Sequence, residues 1–173
     1  MCPPPPLPDD IEVRMYQLLR PLLFRMSPEQ AHTASLWAAR MAQRTVLPLV
    51  ASQYRFEDER LKQRLWGNTF PSPVGLAAGA DKNAQAVPFW EAVGFGFVEV
   101  GSVSARPAAG NPTPRAFRLP EDQALINRLG LNNEGAEAVA ERLEQGRSDR
   151  SRPLGVNLAK THDPDIMGEA ALE

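Results

Sequence analysis

The sequence predicts an α/β fold, with strands and helices alternating around a parallel sheet and a pair of helices in front. Three observations carry this prediction. From about residue 62 onward, short β-rich runs punctuated by glycine alternate with helical stretches, the order that sets consecutive strands parallel. The strands are near-continuously apolar, so both sheet faces are covered, as in α/β barrels or doubly wound sheets. Over residues 11–44, apolar residues recur at the three- and four-residue spacing of amphipathic helices.

Taken in order, the chain begins with five prolines in its first eight residues, which predicts an extended, disordered tail over residues 1–10. A ligand for a proline-reading domain is the alternative. Ile11, Met15, Leu18, Leu19, Leu22 and Leu23 then form one helical stripe, which Pro21 is expected to kink or divide. Ser27-Pro28-Glu29-Gln30 reads as a helix start, with Ser27 as cap, Pro28 in the first turn and Gln30 closing a capping box. Ala31, Ala34, Trp37, Ala38 and Met41 continue that helix, and residues 11–55 form an arm. Between Val13 and Arg55 the arm carries six arginines against one acid, Glu29. An amphipathic cationic hairpin fits either a membrane interface with anionic head groups or packing on the rest of the protein.

In residues 56–173, strands are expected over 74–80, 97–103 and 154–159, with helices over 84–93 and 134–145. Gly94-Phe95-Gly96 is no dinucleotide fingerprint, because it precedes a strand and Glu99 stands where a third glycine is required. In parallel α/β architectures ligands sit at the C-terminal ends of the strands. Lys82 follows the first strand, Ser102 ends the second, and Asn157 with Lys160 marks the third. Asn127-Arg128-Leu129-Gly130-Leu131-Asn132-Asn133 adds three asparagines around a glycine, and carboxamides that both donate and accept suit a planar heterocycle. A loop with a helix N-cap at Asn132 or Asn133 explains one of the three asparagines.

Composition narrows the function classes. Nineteen basic and 21 acidic side chains provide no broad cationic footprint for nucleic acid. One cysteine and two histidines, His32 and His162, give neither a disulfide framework nor a zinc spacing, so no structural metal is expected. No run approaches the ~18 apolar residues of a membrane span, and the start lacks a signal-peptide pattern; the chain is expected to be neither spanning nor exported.

Four ordered blocks carry a resemblance. They are Gly75-Leu76-Ala77-Ala78-Gly79-Ala80-Asp81-Lys82, Gly94-Phe95-Gly96-Phe97-Val98-Glu99-Val100-Gly101-Ser102-Val103, Arg106-Pro107 with Gly110-Asn111-Pro112, and Leu125-Ile126-Asn127-Arg128-Leu129-Gly130. Together they resemble dihydroorotate dehydrogenase. Ser27-Pro28-Glu29 with Ala31-His32 resembles the N-terminal hairpin of the membrane-associated, quinone-using class 2 enzymes.

The resemblance implies the N-terminal part of a (β/α)8 TIM barrel behind a helical hairpin arm. It implies FMN as cofactor, dihydroorotate oxidised to orotate in pyrimidine biosynthesis, and ubiquinone or menaquinone as acceptor. A peripheral location on the cytoplasmic face of a bacterial inner membrane follows from it. Ala77, Ala78, Gly79, Ala80 and Asp81 are then expected against the flavin, with Ser102 and Asn157 on the isoalloxazine edge. Lys82 contacts flavin and substrate. Asn127, Arg128, Leu129, Gly130, Leu131 and Asn132 hold the pyrimidine ring, with Leu131 standing in for the family's usual phenylalanine. The catalytic serine base and the FMN phosphate loops are expected beyond Glu173, because a closed barrel takes roughly 250 residues. The chain therefore reads as the N-terminal portion of a longer enzyme. A non-catalytic remnant with a membrane-binding arm is the alternative, and an FMN-dependent 2-hydroxy acid oxidase is disfavoured because those enzymes rely on an active-site histidine and lack counterparts to the four blocks.

Overall fold

The computed structural model describes the backbone of residues 10–161 and the side chains of residues 16–148 and 150–161. The proline-rich tail up to residue 9, and the helix start expected over residues 163–173, lie outside the described residues. Helix α1 spans Asp10–Leu23 and α2 spans Pro28–Thr45. Pro21 does not divide α1, because it falls in the last turn, where a lost backbone donor breaks little. The predicted capping box is present: the Ser27 hydroxyl accepts from the Gln30 amide at 3.2 Å, and the Gln30 side chain accepts from the Ser27 amide at 2.9 Å.

A third helix, α3 (Leu47–Tyr54), extends these two. It was not predicted, because it begins at Val46 without a side-chain cap, and Pro48 in its first turn is by itself too weak a start signal. A short antiparallel hairpin of β1 (Gln63–Leu65) and β2 (Asn68–Phe70) follows, turning through Trp66 and Gly67, both at positive φ.

The parallel sheet is built on β3 (Val98–Val103), which pairs along its length with the strand Leu154–Leu158. On its other side runs the segment over 74–79. A regular strand is expected over 74–80, yet only Leu76 forms a bridge there, to Val98. Gly75 and Gly79 give the segment no side chains to pack there, and Pro73 just before it cannot donate to a ladder. Its backbone still tracks β3, with Leu76 N–H donating to Phe97 at 3.0 Å and Gly79 N–H to Gly101 at 2.8 Å.

Helix α4 (Val87–Val93) lies between the first two members of this sheet. Between β3 and the last strand comes a second antiparallel hairpin, β4 (Ala116–Leu119) with β5 (Ala124–Asn127), followed by α5 (Ala136–Gln145). The last strand, Leu154–Leu158, is β6. Val98, Val100 and Val103 of β3 pack with Ala84, Val87 and Val139 into the buried core, and Leu76, Trp90, Leu143 and Leu154 close over it. Neither Asn132 nor Asn133 caps α5, since Gly135 occupies that place without a side-chain bond.

Candidate functional site

A cavity of about 850 Å³ opens at the C-terminal end of the sheet. One wall is α2, through Pro28, Glu29, His32, Thr33 and Leu36, and the other is built from the sequence blocks described above. Of the predicted residues it gathers Ala78, Gly79, Ala80, Lys82, Ser102, Asn127, Arg128, Leu129, Gly130, Leu131 and Asn132. Ala77, Asp81 and Asn157 do not line it.

Each side chain arrives for a local reason. Gly79 sits at φ +108°, and a Cβ built there meets nothing within 4 Å, so bare backbone faces open space beside the cavity. Ser102 stands in a register shift, since Gly101 pairs with Asn157 and Val103 with Leu158. The bulge lets Val103 instead of Ser102 continue the buried face of Val98 and Val100, and Ser102 turns toward the cavity. Its hydroxyl donates to Asn157 Oδ1 at 2.5 Å, while Asn157 Nδ2 donates to Glu99 Oε1 at 3.2 Å. Asn157 therefore stands behind Ser102.

Lys82 is half-buried and its ammonium donates to Asn132 Oδ1 at 2.6 Å. Burial holds its pKa below the usual lysine value; the Arg115 cation lowers it further and Glu29 opposes the shift. Asp81, one residue earlier, is fully buried and turned the other way. Its carboxylate accepts from the amides of Gln85 and Ala86, each at 2.7 Å, and from Trp90 Nε1 at 3.3 Å. It fastens the entrance of α4 and so fixes the backbone that carries Lys82. Burial also lowers the pKa of His32 across the cavity, with Lys82 adding to the effect.

The loop after β5 is held from three sides. Asn111 donates to Arg128 O at 2.7 Å through its side chain and to Leu129 O at 3.0 Å through its amide. Gly130 sits at φ +74°, and a Cβ there would come within 2.7 Å of the Asn111 amide nitrogen. Asn133 is buried, donating to Ser104 Oγ and Leu131 O and accepting from Ser104 and Gly135 amides. Of the three asparagines, Asn127 and Asn132 face the cavity and Asn133 is structural. Glu134 ties this loop to the one after Lys82, because it accepts from Asn83, Gln85 and Arg142.

Sequence reasoning missed Arg115 and missed Glu29 as a cavity residue. Arg115 forks onto Glu29, donating through Nε at 3.0 and 3.2 Å and through Nη2. The available signal was Glu29 itself, the lone acid among six arginines between Val13 and Arg55.

Comparison with known proteins agrees with these blocks. Residues 60–169 match the family model for dihydroorotate dehydrogenase. Dihydroorotate dehydrogenase (quinone) of Gloeobacter violaceus is 51% identical over 148 residues, covering 85% of this chain and 41% of that protein. The proteins of the same name from Acidithiobacillus ferrooxidans and Thermus thermophilus are 50% and 48% identical, with 42% and 44% of their lengths covered. The crystal structure of DHODH from Eimeria tenella in complex with ferulenol superposes with a TM-score of 0.61 at 42% identity, over 82% of this chain and 37% of that one. This chain thus spans about two fifths of the length of the curated relatives it matches. The matched segment is 110 of the chain's 173 residues (169 − 60 + 1) and contains every predicted site residue. The chain belongs to the dihydroorotate dehydrogenase family.

Proposed function

We propose that this chain supplies one side of the active site of a quinone-linked flavoenzyme that oxidises dihydroorotate to orotate, with FMN as the flavin. The observation that carries the reading is the cavity itself, at the C-terminal ends of β3 and of the segment that tracks it, with a half-buried lysine bonded to an asparagine inside it. We read the parallel segments as the first strands of a (β/α)8 barrel, and residues 11–55 as an arm distinct from it.

The residues fit a flavin. Bare backbone at Gly79 with small neighbours Ala77, Ala78 and Ala80 leaves room for a flat ring, and a Cβ at Gly79 would project into that room. Ser102, backed by Asn157, presents a hydroxyl to the ring edge, and Asp81 anchors the segment from behind. The bound flavin would accept a hydride from the substrate and pass electrons to the quinone.

This chain's residues bind and orient. The half-buried Lys82 ammonium complements the substrate carboxylate where partial burial makes charge act more strongly than in bulk solvent. Asn127 and Asn132 donate to and accept from the edges of a pyrimidine ring, while Arg128, Leu129, Gly130 and Leu131 shape the loop that closes over it. The base that takes the substrate proton is assigned to the part of the relatives' length that this chain does not span.

The acceptor is proposed to enter between the helices. A second cavity, of about 950 Å³, lies along α1 and α2 and shares Glu29 and Thr33 with the first. Among the described residues no helix is long and apolar enough to cross a membrane. An arm lying in the interface of an anionic membrane suits the exposed apolar residues and the arginines, and a peripheral location follows.

Lys82→Ala in the full-length enzyme tests the reading. Dihydroorotate turnover with a soluble dye should fall by about two orders of magnitude or more, the usual size of losing one electrostatic contact at a reacting site. Turnover within a few-fold of the parent would take Lys82 out of the site.

A further inference from the structure

We propose that Glu29 and Arg115 form a positioning pair which sets the substrate loop and Lys82 against the N-terminal helices, so that the placement of α2 is felt on the dihydroorotate side. The inference rests on the functional reading above.

Glu29 stands in the first turn of α2, behind a closed capping box, so its backbone position is set by the helix start. Arg115 immediately precedes β4, and its side chain is only 11% exposed. One edge of its guanidinium grips the Glu29 carboxylate. Nη1 on the far side donates to Ala109 O at 2.6 Å and Asn111 O at 3.0 Å, with Leu129 O at 3.5 Å. Arg115 O in turn accepts from the Arg128 amide at 2.8 Å.

One planar fork therefore joins α2 to the backbone that carries Asn127 through Asn132. A lysine ammonium, a point charge without a fork, cannot reproduce this set. The same two residues are the charges that act on Lys82, and with opposite sign. Around Lys82 the titratable and charged groups are Glu29 and His32 from α2, Arg115 before β4, Arg128 after β5, and Asp81 beside it in the chain.

Two conservative changes separate geometry from charge. Arg115→Lys keeps the cation and loses the fork; Glu29→Gln keeps the shape and loses the anion. Both belong in the full-length enzyme, assayed with a soluble dye so that the quinone step does not limit. An inactive parent enzyme would refute the functional reading itself, ahead of this inference.

With an active parent, Arg115→Lys should raise KM for dihydroorotate by about tenfold with kcat within about twofold, and leave the alkaline limb of the pH profile in place. Glu29→Gln should raise KM and move that limb to lower pH, because the group that favours charged Lys82 is gone. Orotate binding by equilibrium dialysis gives a readout independent of turnover and should weaken in both variants. An unmoved limb in Glu29→Gln, or unchanged orotate affinity in both, would overturn the proposal. So would a lowered melting temperature with kcat and KM unaltered, since the pair would then be a structural tie alone.

Discussion

Asp81 and Lys82 are neighbours in the chain with opposite destinations. The lysine reaches the cavity, whereas the carboxylate receives two backbone amides and an indole N–H in a fully buried pocket. A buried carboxylate with three donors is costly to remove, because each donor is then left unpaired. Asp81→Ala should destabilise the fold by about 3 kcal/mol, and Asp81→Asn by less, since one amide oxygen still accepts. Denaturant midpoints of the three proteins check this, and a loss below about 1 kcal/mol for the alanine variant would mean that α4 is held elsewhere. Adjacent polar residues read alike in a sequence. Asn132 and Asn133 show the same division, one on Lys82 and the other beneath the loop, and no local pattern distinguishes them.

Among the elements, the most legible was α2, because Ser27, Pro28 and Gln30 make a start signal from covalent neighbours alone. The β4–β5 hairpin has no counterpart among the elements that the sequence predicts. Its strands have four residues each, and β5 is exposed throughout, so neither shows the alternation of a half-buried strand. Arg118 of β4 nevertheless fastens this hairpin to the helices, donating to Met26 O at 2.7 Å and stacking on Phe24 at 4.6 Å. The helices carry Leu18, Leu22 and Trp37 at 78%, 60% and 64% exposure, the last two on the rim of the second cavity. A large apolar side chain gains about 1.5–3 kcal/mol on leaving water. Changing all three to serine should therefore weaken association with anionic vesicles at least about tenfold, with little change in melting temperature. Co-sedimentation measures it; undiminished binding would remove this surface from any membrane contact.

On the scale of the whole molecule, the parallel sheet pairs β6 on one side only among the described residues, and Leu158 is 76% exposed with Val156 also open. Parallel sheets are normally covered on both faces and closed or capped at their edges. This 173-residue chain expressed alone should bind hydrophobic dyes, self-associate and bind FMN weakly or not at all. Dye fluorescence, light scattering and FMN titration test the three points, and a yellow monomer with a cooperative melt would contradict them. Local rules sufficed for α1, α2, α4 and α5, the parallel order and the polar ends of the strands, because caps, periodicity and strand–helix alternation act between residues a few positions apart. They also sufficed for the family, since the four blocks are contiguous words. The bond between Lys82 and Asn132, the turning of Ser102 out of the ladder and the fork of Arg115 on Glu29 were not legible. The two lysine and arginine contacts join residues 50 and 86 positions apart. The third depends on which neighbour β3 pairs with across a register shift. Such contacts exist only once the core around Val98, Val100 and Val139 has packed the helices against the sheet and brought those distant groups within hydrogen-bond reach.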